Sequence, residues 1–314
     1  MTLEQLRIFL RVAELSHVTR AARALNLTQS AASASIAALE RQYDVRLFDR
    51  VGRGIVLTEA GGLLVAAAER VLREAEAAGA LLSGFAREPG GRLRIWASQT
   101  IASYWLTPYM MRMHRRWPQV ELSLHAGNTA EVERAVQEGA ADLGFVEGAV
   151  SAGHLRQRRV GHDELLLVMP RTHPLARKPR LAAEDYRAMD WLLREAGSGT
   201  RTVVERHLDA MGLAPRDLNV LLHLPTNEAI LGGIRAGMAV SMLSWRSLRQ
   251  AGRREFALRR ITWSAKPRRS FLVLSDPQRH RSKAVESFLD FFDRPTPSAA
   301  AATAEIRTIP LMDH

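Results

Sequence analysis

Residues 4–61 read EQLRIFLRVAELSHVTRAARALNLTQSAASASIAALERQYDVRLFDRVGRGIVLTEAG. Thr2 with Gln5 three residues on makes a capping-box start, and Leu3, Leu6, Phe9, Leu10 and Ala13 then recur at helical spacing to about Leu15. Thr19 is placed to cap a second helix with Ala21, Ala22 and Leu25 on its inward face, and Asn26 tolerates the left-handed turn that stops it. Thr28 caps a third helix, with Ala32, Ile36 and Leu39 towards a core and Gln29, Ser30, Ser33 and Ser35 towards solvent or a groove. Arg50, Gly52, Arg53 and Gly54 then form a short basic hairpin ahead of Ile55, Val56 and Leu57. That succession is how a helix-turn-helix sets a side-chain-bearing helix in a DNA major groove.

The residue types suit that task. A glutamine can bond adenine bidentately, and a serine can bond a base edge or a phosphate. A glycine-flanked arginine at a hairpin tip can follow the phosphates or enter a narrow minor groove. Taken singly, each serine reads more readily as a solvated helix face and Arg53 as a surface charge. The ordered set carries the DNA reading.

The segment resembles the winged helix-turn-helix of LysR-type transcriptional regulators, with its xxLRxF opening, AAxxLxxTQxxxSxxIxxLE core and LFxRxxRxxxLTxAG wing. The matching residues are Leu6, Arg7, Phe9, Ala21, Ala22, Leu25, Thr28, Gln29, Ser33, Ile36, Leu39, Glu40, Leu47, Phe48, Arg50, Arg53, Leu57, Thr58, Ala60 and Gly61. The helix face, the residue types and the resemblance together lead to expected DNA contacts from Thr28, Gln29, Ser30, Ser33, Ser35, Arg50 and Arg53. Ser30 and Ala34 stand where many members carry Pro and Arg, which implies fewer direct base contacts and more reliance on DNA shape.

Thr58 caps a further helix, in which Leu64, Ala68, Val71, Ala75, Ala78 and Leu82 follow at alternating spacings of four and three. That is a heptad seam, and its small alanines favour close approach of two helices. Packing of a long helix on its own domain is the plainer alternative. Glu69, Arg70, Arg73, Glu74 and Glu76 on the outer face favour dimerisation. Two recognition helices held together read two half-sites.

From Arg92 the pattern changes, after a hinge over residues 84–91, to strands alternating with helices. Strands are expected at RLRIWAS, VELSLHAG, ADLGFVEG, ELLLVMP, WLLRE, VLLHL, MAVSML and RSFLVLS, with helices near 101–116, 132–136, 201–211, 228–236 and 282–293. This alternation is the grammar of doubly wound α/β architecture. Ser98 with Thr100, Asn128 with Thr129, Ser198 with Gly199 and Thr200, and Thr226 with Asn227 each sit between a strand and a helix. Such residues cap free helix amides. A helix N-terminus after a strand is also an anion site, and strand carboxyl ends line the binding crevice of open α/β sheets.

LysR-type effector domains are two-lobed and resemble periplasmic solute-binding proteins. The resemblance therefore implies an effector bound between lobes near Ser98, Thr100, Thr129, Thr200 and Thr226, and the strand-to-helix positions add Asn128, Ser198 and Asn227 as candidates. REAGSGTR, Arg194 to Arg201, resembles the REPGSGTR of a subset that includes regulators of carbon fixation and sulfur metabolism, with Ala196 in place of Pro. Arg201 is placed either to steady an anionic ligand or to pair with Glu205 one turn later. The expected organisation is 1–58 winged helix-turn-helix, 59–91 linker helix and hinge, 92–294 effector domain and 295–314 disordered tail. Lobe one is 92–163 with 268–294, and lobe two is 164–267.

Composition bounds the alternatives. Apolar content of 46% and charge of 25% are ordinary for a globular protein. No run approaches the roughly 18 apolar residues of a membrane helix, no basic-then-apolar leader precedes Leu3, and zero cysteines exclude disulfides and thiolate sites. A cytoplasmic protein fits. The net charge of +11 suggests a polyanionic partner, yet residues 1–91 are almost neutral, with eleven Arg against ten acids. Arg246, Arg249, Arg253, Arg254, Arg259, Arg260, Lys266, Arg268 and Arg269 read as a solvated face or as a surface for flanking DNA.

No GxSxG, P-loop, HExxH or aspartate-rich metal pattern is present, and His162 beside Asp163 reads as a loop salt bridge. No cofactor, metal or catalytic residue is expected. A solute-binding protein leaves residues 1–61 unexplained, and a nucleoid-type DNA binder leaves the α/β part unexplained. The expected protein is a sequence-specific regulator that binds double-stranded DNA at an interrupted palindrome. It is expected to answer a small, anionic effector and to assemble as a homotetramer, a dimer of dimers, with RNA polymerase a further partner.

Overall fold

The computed structural model describes residues 1–52, 54–83, 88–148, 150–250 and 255–293. Arg53 at the hairpin tip, most of the hinge, Arg253, Arg254 and the tail from Pro295 lie outside the described residues, as does the side chain of Leu82. The chain divides into two compact units, Met1–Leu82 and Ser83–His314.

The first unit runs α1 (Leu3–Leu15), α2 (Val18–Ala24), α3 (Gln29–Tyr43), β1 (Phe48–Val51), β2 (Gly54–Leu57) and α4 (Glu59–Ser83). The α1 capping box forms as the spacing predicts, with Thr2 Oγ1 accepting from Gln5 N and the Gln5 side chain accepting from Thr2 N. Ser16, Asn26 and Asp44 take the left-handed conformation that turns the chain after each of the three helices. Thr19 is not a cap: α2 begins at Val18 behind His17, one residue earlier, because the turn is already made at Ser16. Leu6, Phe9, Val12, Ala22, Ala32, Ile36, Leu39 and Leu47 form one core. Glu40 fastens the wing to α3 by accepting the Leu47 amide at 2.8 Å.

Two members of the expected α4 seam are spent inside the protomer. Ala68 is fully buried in the first unit's core and Leu64 packs against it. A straight 3.6-residue helix presents Leu64, Ala68 and Leu72 to its own domain, which is the plainer alternative realised for that stretch. The apolar side chains left outside lie about one position round the helix, with Leu63 at 73% and Val71 at 42% exposure, and Ala78 also exposed.

The second unit begins with β3 (Gly91–Ser98), α5 (Gln99–Ile101), a π-helical turn (Ala102–Leu106), α6 (Thr107–Arg116), β4 (Val120–Gly127), α7 (Thr129–Gln137), β5 (Leu143–Glu147) and β6 (Arg156–Pro170). It continues with α8 (Ala183–Ala188), β7 (Asp190–Arg194), α9 (Gly199–Asp209), β8 (Asn219–Leu224), α10 (Asn227–Ala236), β9 (Ser241–Ser244), α11 (Trp245–Gln250), β10 (Phe256–Arg259), β11 (Arg268–Ser275) and α12 (Lys283–Leu289). Strand and helix alternate as expected, and the sheet is mixed. β3 runs parallel to β4 and β5, whereas β11 is antiparallel to β5 and β6, and β6 to β9 and β10.

β6 is the spine of this unit. Its first part pairs with β11 and its last residues with β9 and β10. Apolar packing is correspondingly divided. Leu93, Ile95, Phe145, Phe271 and Phe288 gather on one side, and Leu165, Leu167, Tyr186, Trp191 and Met242 on the other. His162 and Asp163 therefore sit within a strand and not in a loop, with Asp163 fully buried. No helix among the described residues is long and apolar enough to cross a membrane.

Candidate functional site

The polar helix starts are built alike but are not equivalent. β3, β5 and β7 end at Ser98, Glu147 and Arg194, and α7, α9 and α10 begin at Thr129, Gly199 and Asn227. Ser98, Thr100, Thr129, Ser198, Thr200 and Asn227 are buried, while Asn128, Arg201 and Thr226 are half-buried. Asn128 closes a capping box with Glu131, and Thr226 accepts from Ala229 N at 3.0 Å, so these two serve their own helices. Ser98 and Ser198 make no capping hydrogen bond. Arg201 pairs with Glu205 at 2.8 Å, the second of its two expected roles.

Thr100 and Thr200 converge on a buried arginine that sequence reasoning placed on a solvated face or a surface for flanking DNA. Arg269 of β11 donates to Asp163 from Nε at 2.9 Å and Nη2 at 2.7 Å, and to Thr200 Oγ1 at 2.9 Å. It also reaches Thr100 Oγ1 at 3.4 Å and Glu147 Oε1 at 3.1 Å. Ser244 donates to the other Asp163 oxygen at 2.9 Å. A second buried arginine, Arg194, reaches Asn227 Oδ1 at 3.0 Å and Gln99 Oε1 at 3.4 Å and pairs with Glu195, while Asn227 Nδ2 donates to Thr100 at 3.2 Å.

Burial pushes the Glu147 carboxyl up; Arg269 opposes this, Asp163 adds to it, and the nearby Thr100 hydroxyl and Arg194 oppose it further. Backbone closeness fixes the assembly. A Cβ on Gly199 would lie 2.3 Å from the Glu147 carbonyl oxygen and 2.8 Å from Thr129 Oγ1. Glu228 joins α10 to α5 and the π-helical turn, accepting from Gln99 Nε2 at 2.7 Å and from the Tyr104 hydroxyl.

Arg259, Arg260 and Arg268 of the basic cluster are also committed internally. Arg259 donates to the carbonyls of Leu175, Ala176, Lys178 and Pro179, and Arg260 and Arg268 clasp Glu164 at 2.8 and 3.0 Å. Burial raises the Glu164 carboxyl, but the two guanidiniums outweigh it and hold the group below the usual carboxylate range. A depressed folded pKa contributes stability above the unfolded value and loses it as pH falls through the folded one. Denaturant titrations from pH 7 downward should therefore show stability declining below about pH 4–5, the unfolded carboxylate range. Glu164→Gln should be weaker at pH 7 and flatter over the acid limb.

In the first unit, α3 exposes Gln29 and Ser30 and half-buries Ser33 and Ser35. Thr28 caps it through Ala31 N, and its hydroxyl lies 3.1 Å from that of Ser30. Gln29 Nε2 donates to Ser33 Oγ at 2.9 Å, which orients the amide one turn along the exposed face. Arg50 is exposed on β1.

Residues 3–62 match the model of the bacterial regulatory helix-turn-helix protein, lysR family, and residues 86–295 match the LysR substrate binding domain. The chain belongs to the LysR family. It is a DNA-binding transcriptional regulator with an effector-binding domain, in a family of regulators and not of enzymes. The Escherichia coli K12 protein described as an uncharacterized HTH-type transcriptional regulator, YeiE, is 36% identical over 302 residues, covering 93% of this chain and 97% of that one. Full-length CbnR, solved with its target DNA, shares the fold at a TM-score of 0.71 and 21% identity, over 94% of this chain and 99% of that one. The regulatory domain of Synechocystis CcmR, solved in complex with 2-PG, superposes at a TM-score of 0.58 with 27% identity, over 64% of this chain and 95% of that one.

Glu147, Asp163, Arg194 and Arg269 are the members of the cluster that sequence reasoning did not place there. One signal was present. Glu147 closes a run whose other residues are all apolar, and the whole strand Leu143–Glu147 is buried. Among the described residues no group of His, Cys, Asp or Glu is arranged to hold a metal ion.

Proposed function

We propose that this LysR-family regulator responds to a small anion held between two lobes, 92–163 with 268–294 and 164–267, at the strand ends that carry Ser98, Thr100, Thr129, Ser198, Thr200 and Asn227. The observation that carries the reading is the convergence of Thr100, Thr200 and Asn227, from three strand-to-helix junctions, on the buried Arg269 and Arg194. Helix amides and hydroxyls in a water-poor site favour negative charge, while the two guanidiniums are already paired with Asp163, Glu147 and Glu195. The complex of the CcmR domain with 2-PG supports a ligand in a domain of this kind. A thermal-shift screen of the full chain should find stabilisation by small anions, rising with concentration as RT ln(1 + [L]/Kd). Stabilisation by neutral or aromatic compounds alone would sink the anionic reading.

DNA is read by α3 and the wing as two half-sites of an interrupted palindrome. Gln29 and Ser33 act as a hydrogen-bonded pair, with Thr28, Ser30 and Ser35 beside them and Arg50 and Arg53 on the phosphates or in the minor groove. Leu63, Val71 and Ala78 form the apolar stripe on α4 through which two copies pair, and two pairs make the tetramer. Regulation takes place in the cytoplasm beside RNA polymerase. Gln29→Ala should cost about 1–3 kcal/mol of operator affinity and relax one base preference without changing the salt slope. Arg50→Ala should instead weaken all sequences alike and lower that slope by about one. Fluorescence anisotropy over a salt series separates the two.

A further inference from the structure

We propose that Glu147 selects the effector: the anion taken into this site must itself carry a hydrogen-bond donor, a hydroxyl or acid proton, which Glu147 Oε2 accepts. The inference rests on the anionic reading above and narrows it. Glu147 is 2% exposed, and one carboxylate oxygen is held by Arg269 while Oε2 is buried with no hydrogen-bond partner. Ser98 Oγ, at the end of β3, is buried and unpartnered too. A buried polar atom left unpaired in a folded protein costs roughly 1–3 kcal/mol, so the Glu147 oxygen points to a group that completes it.

The neighbours do not fill the role. Asp163 has both oxygens engaged, by Ser244 and by Arg269. Arg269 is divided among Asp163, Glu147, Thr200 and Thr100, and Arg194 among Glu195, Asn227 and Gln99. The atom in want of a donor is Glu147 Oε2. Its side chain lies against the start of α9, where Glu147 Cγ is 3.1 Å from the position a Gly199 Cβ would take. α9 is eleven residues long and starts at Ser198 without a side-chain cap, so its first-turn amides can meet an anion.

An anion seated there lies next to a carboxylate oxygen. Without a proton between them the two repel in a site with little water to screen them. With a donor on the ligand, the same oxygen becomes a charge-assisted acceptor, and the Ser98 hydroxyl can donate in return. A site built round a ligand's own hydroxyl rejects the isostere that lacks it, because the protein group is then stranded.

Two matched pairs of probes test this in the full-length protein by isothermal titration calorimetry at pH 8. Hydrogenphosphate and sulfate share size and charge and differ by one proton, and glycolate and propionate differ by a hydroxyl in place of a methyl. In at least one pair the donor-bearing member should bind about a hundredfold tighter or more. Glu147→Gln, which can donate from its amide, should narrow that ratio at least tenfold, whereas Ser98→Ala should weaken both members and leave the ratio in place. Equal affinities within every pair that binds, or a ratio untouched by Glu147→Gln, would overturn the inference and leave the anionic reading standing. If Glu147→Gln does not fold, the wild-type ratio alone decides. Binding of none of the four anions overturns the anionic reading itself.

Discussion

Arg269→Met should destabilise the effector-binding unit by about 3–5 kcal/mol, because it strands two buried carboxylates on one missing cation. Arg269 and Asp163 have fully buried side chains and Glu147 nearly so, and Arg269 is the guanidinium that touches both acids. Removing it leaves Asp163 with one serine hydroxyl and the more distant Arg246 guanidinium at 3.9 Å, and takes the ion-pair partner from Glu147 Oε1. Burial then pushes the Glu147 carboxyl up further, and stability becomes steeper in pH, falling as pH rises from the unfolded carboxylate range to the raised folded value. Adding Asp163→Asn and Glu147→Gln to Arg269→Met should recover much of the loss, since a neutral hydrogen-bonded cluster avoids the uncompensated charge. Chemical denaturation of wild type, Arg269→Met and the triple variant checks this. A single Arg269→Met within 1 kcal/mol of wild type would show that the cluster is hydrated and not sealed.

The same cluster shows what the sequence could and could not disclose. The helix-turn-helix was legible residue by residue because each cap, turn and apolar position acts locally. Thr2, Thr28 and Thr58 all cap as their spacing predicts. Thr19 was misread because a threonine near a helix start is ambiguous by one turn position, and only the left-handed Ser16 settles it. The α4 seam was misread at Leu64 and Ala68 because heptad spacing on a single helix does not say whether the burying partner is another chain or the same one.

In the second unit, strand periods gave the order of elements, yet the start of β6 was hidden. RQRRVGHDE is charged and reads as loop, and it becomes a strand only through pairing with β11. That pairing is also what carries Asp163 and Arg269 to the strand ends, with Arg269 directly opposite Asp163 in the register. An ion pair set by antiparallel register between distant segments leaves no local trace. Arg269 therefore looked like one more member of a basic run. The polar helix starts were visible because strand-to-helix junctions are local; the charges they surround were not.

Gly199→Ala should abolish the effector response and cost the protein about 1–3 kcal/mol, although it adds one methyl group. The new Cβ would sit 2.3 Å from the Glu147 carbonyl oxygen and 2.8 Å from Thr129 Oγ1. Neither contact is the end of a flexible side chain: the oxygen belongs to the last residue of β5, and Thr129 is the first residue of α7. The clash is relieved only by moving the start of α9 away from β5. That movement draws Thr200 off Arg269 and displaces the α9 amides by more than the roughly 0.5 Å a preorganised site tolerates. Gly232→Ala is the matched control, since it lies inside α10 with nothing within 4 Å of its Cβ. It should be neutral or stabilise by about 0.4–1 kcal/mol through the unfolded chain. The first unit is a separate compact body with its own core, so Gly199→Ala should leave operator binding without effector intact. Anisotropy with and without a stabilising anion, beside thermal melts, reads both effects. A Gly199→Ala protein with wild-type melting and an undiminished response would mean that β5 and α9 are already apart in the state that binds the effector.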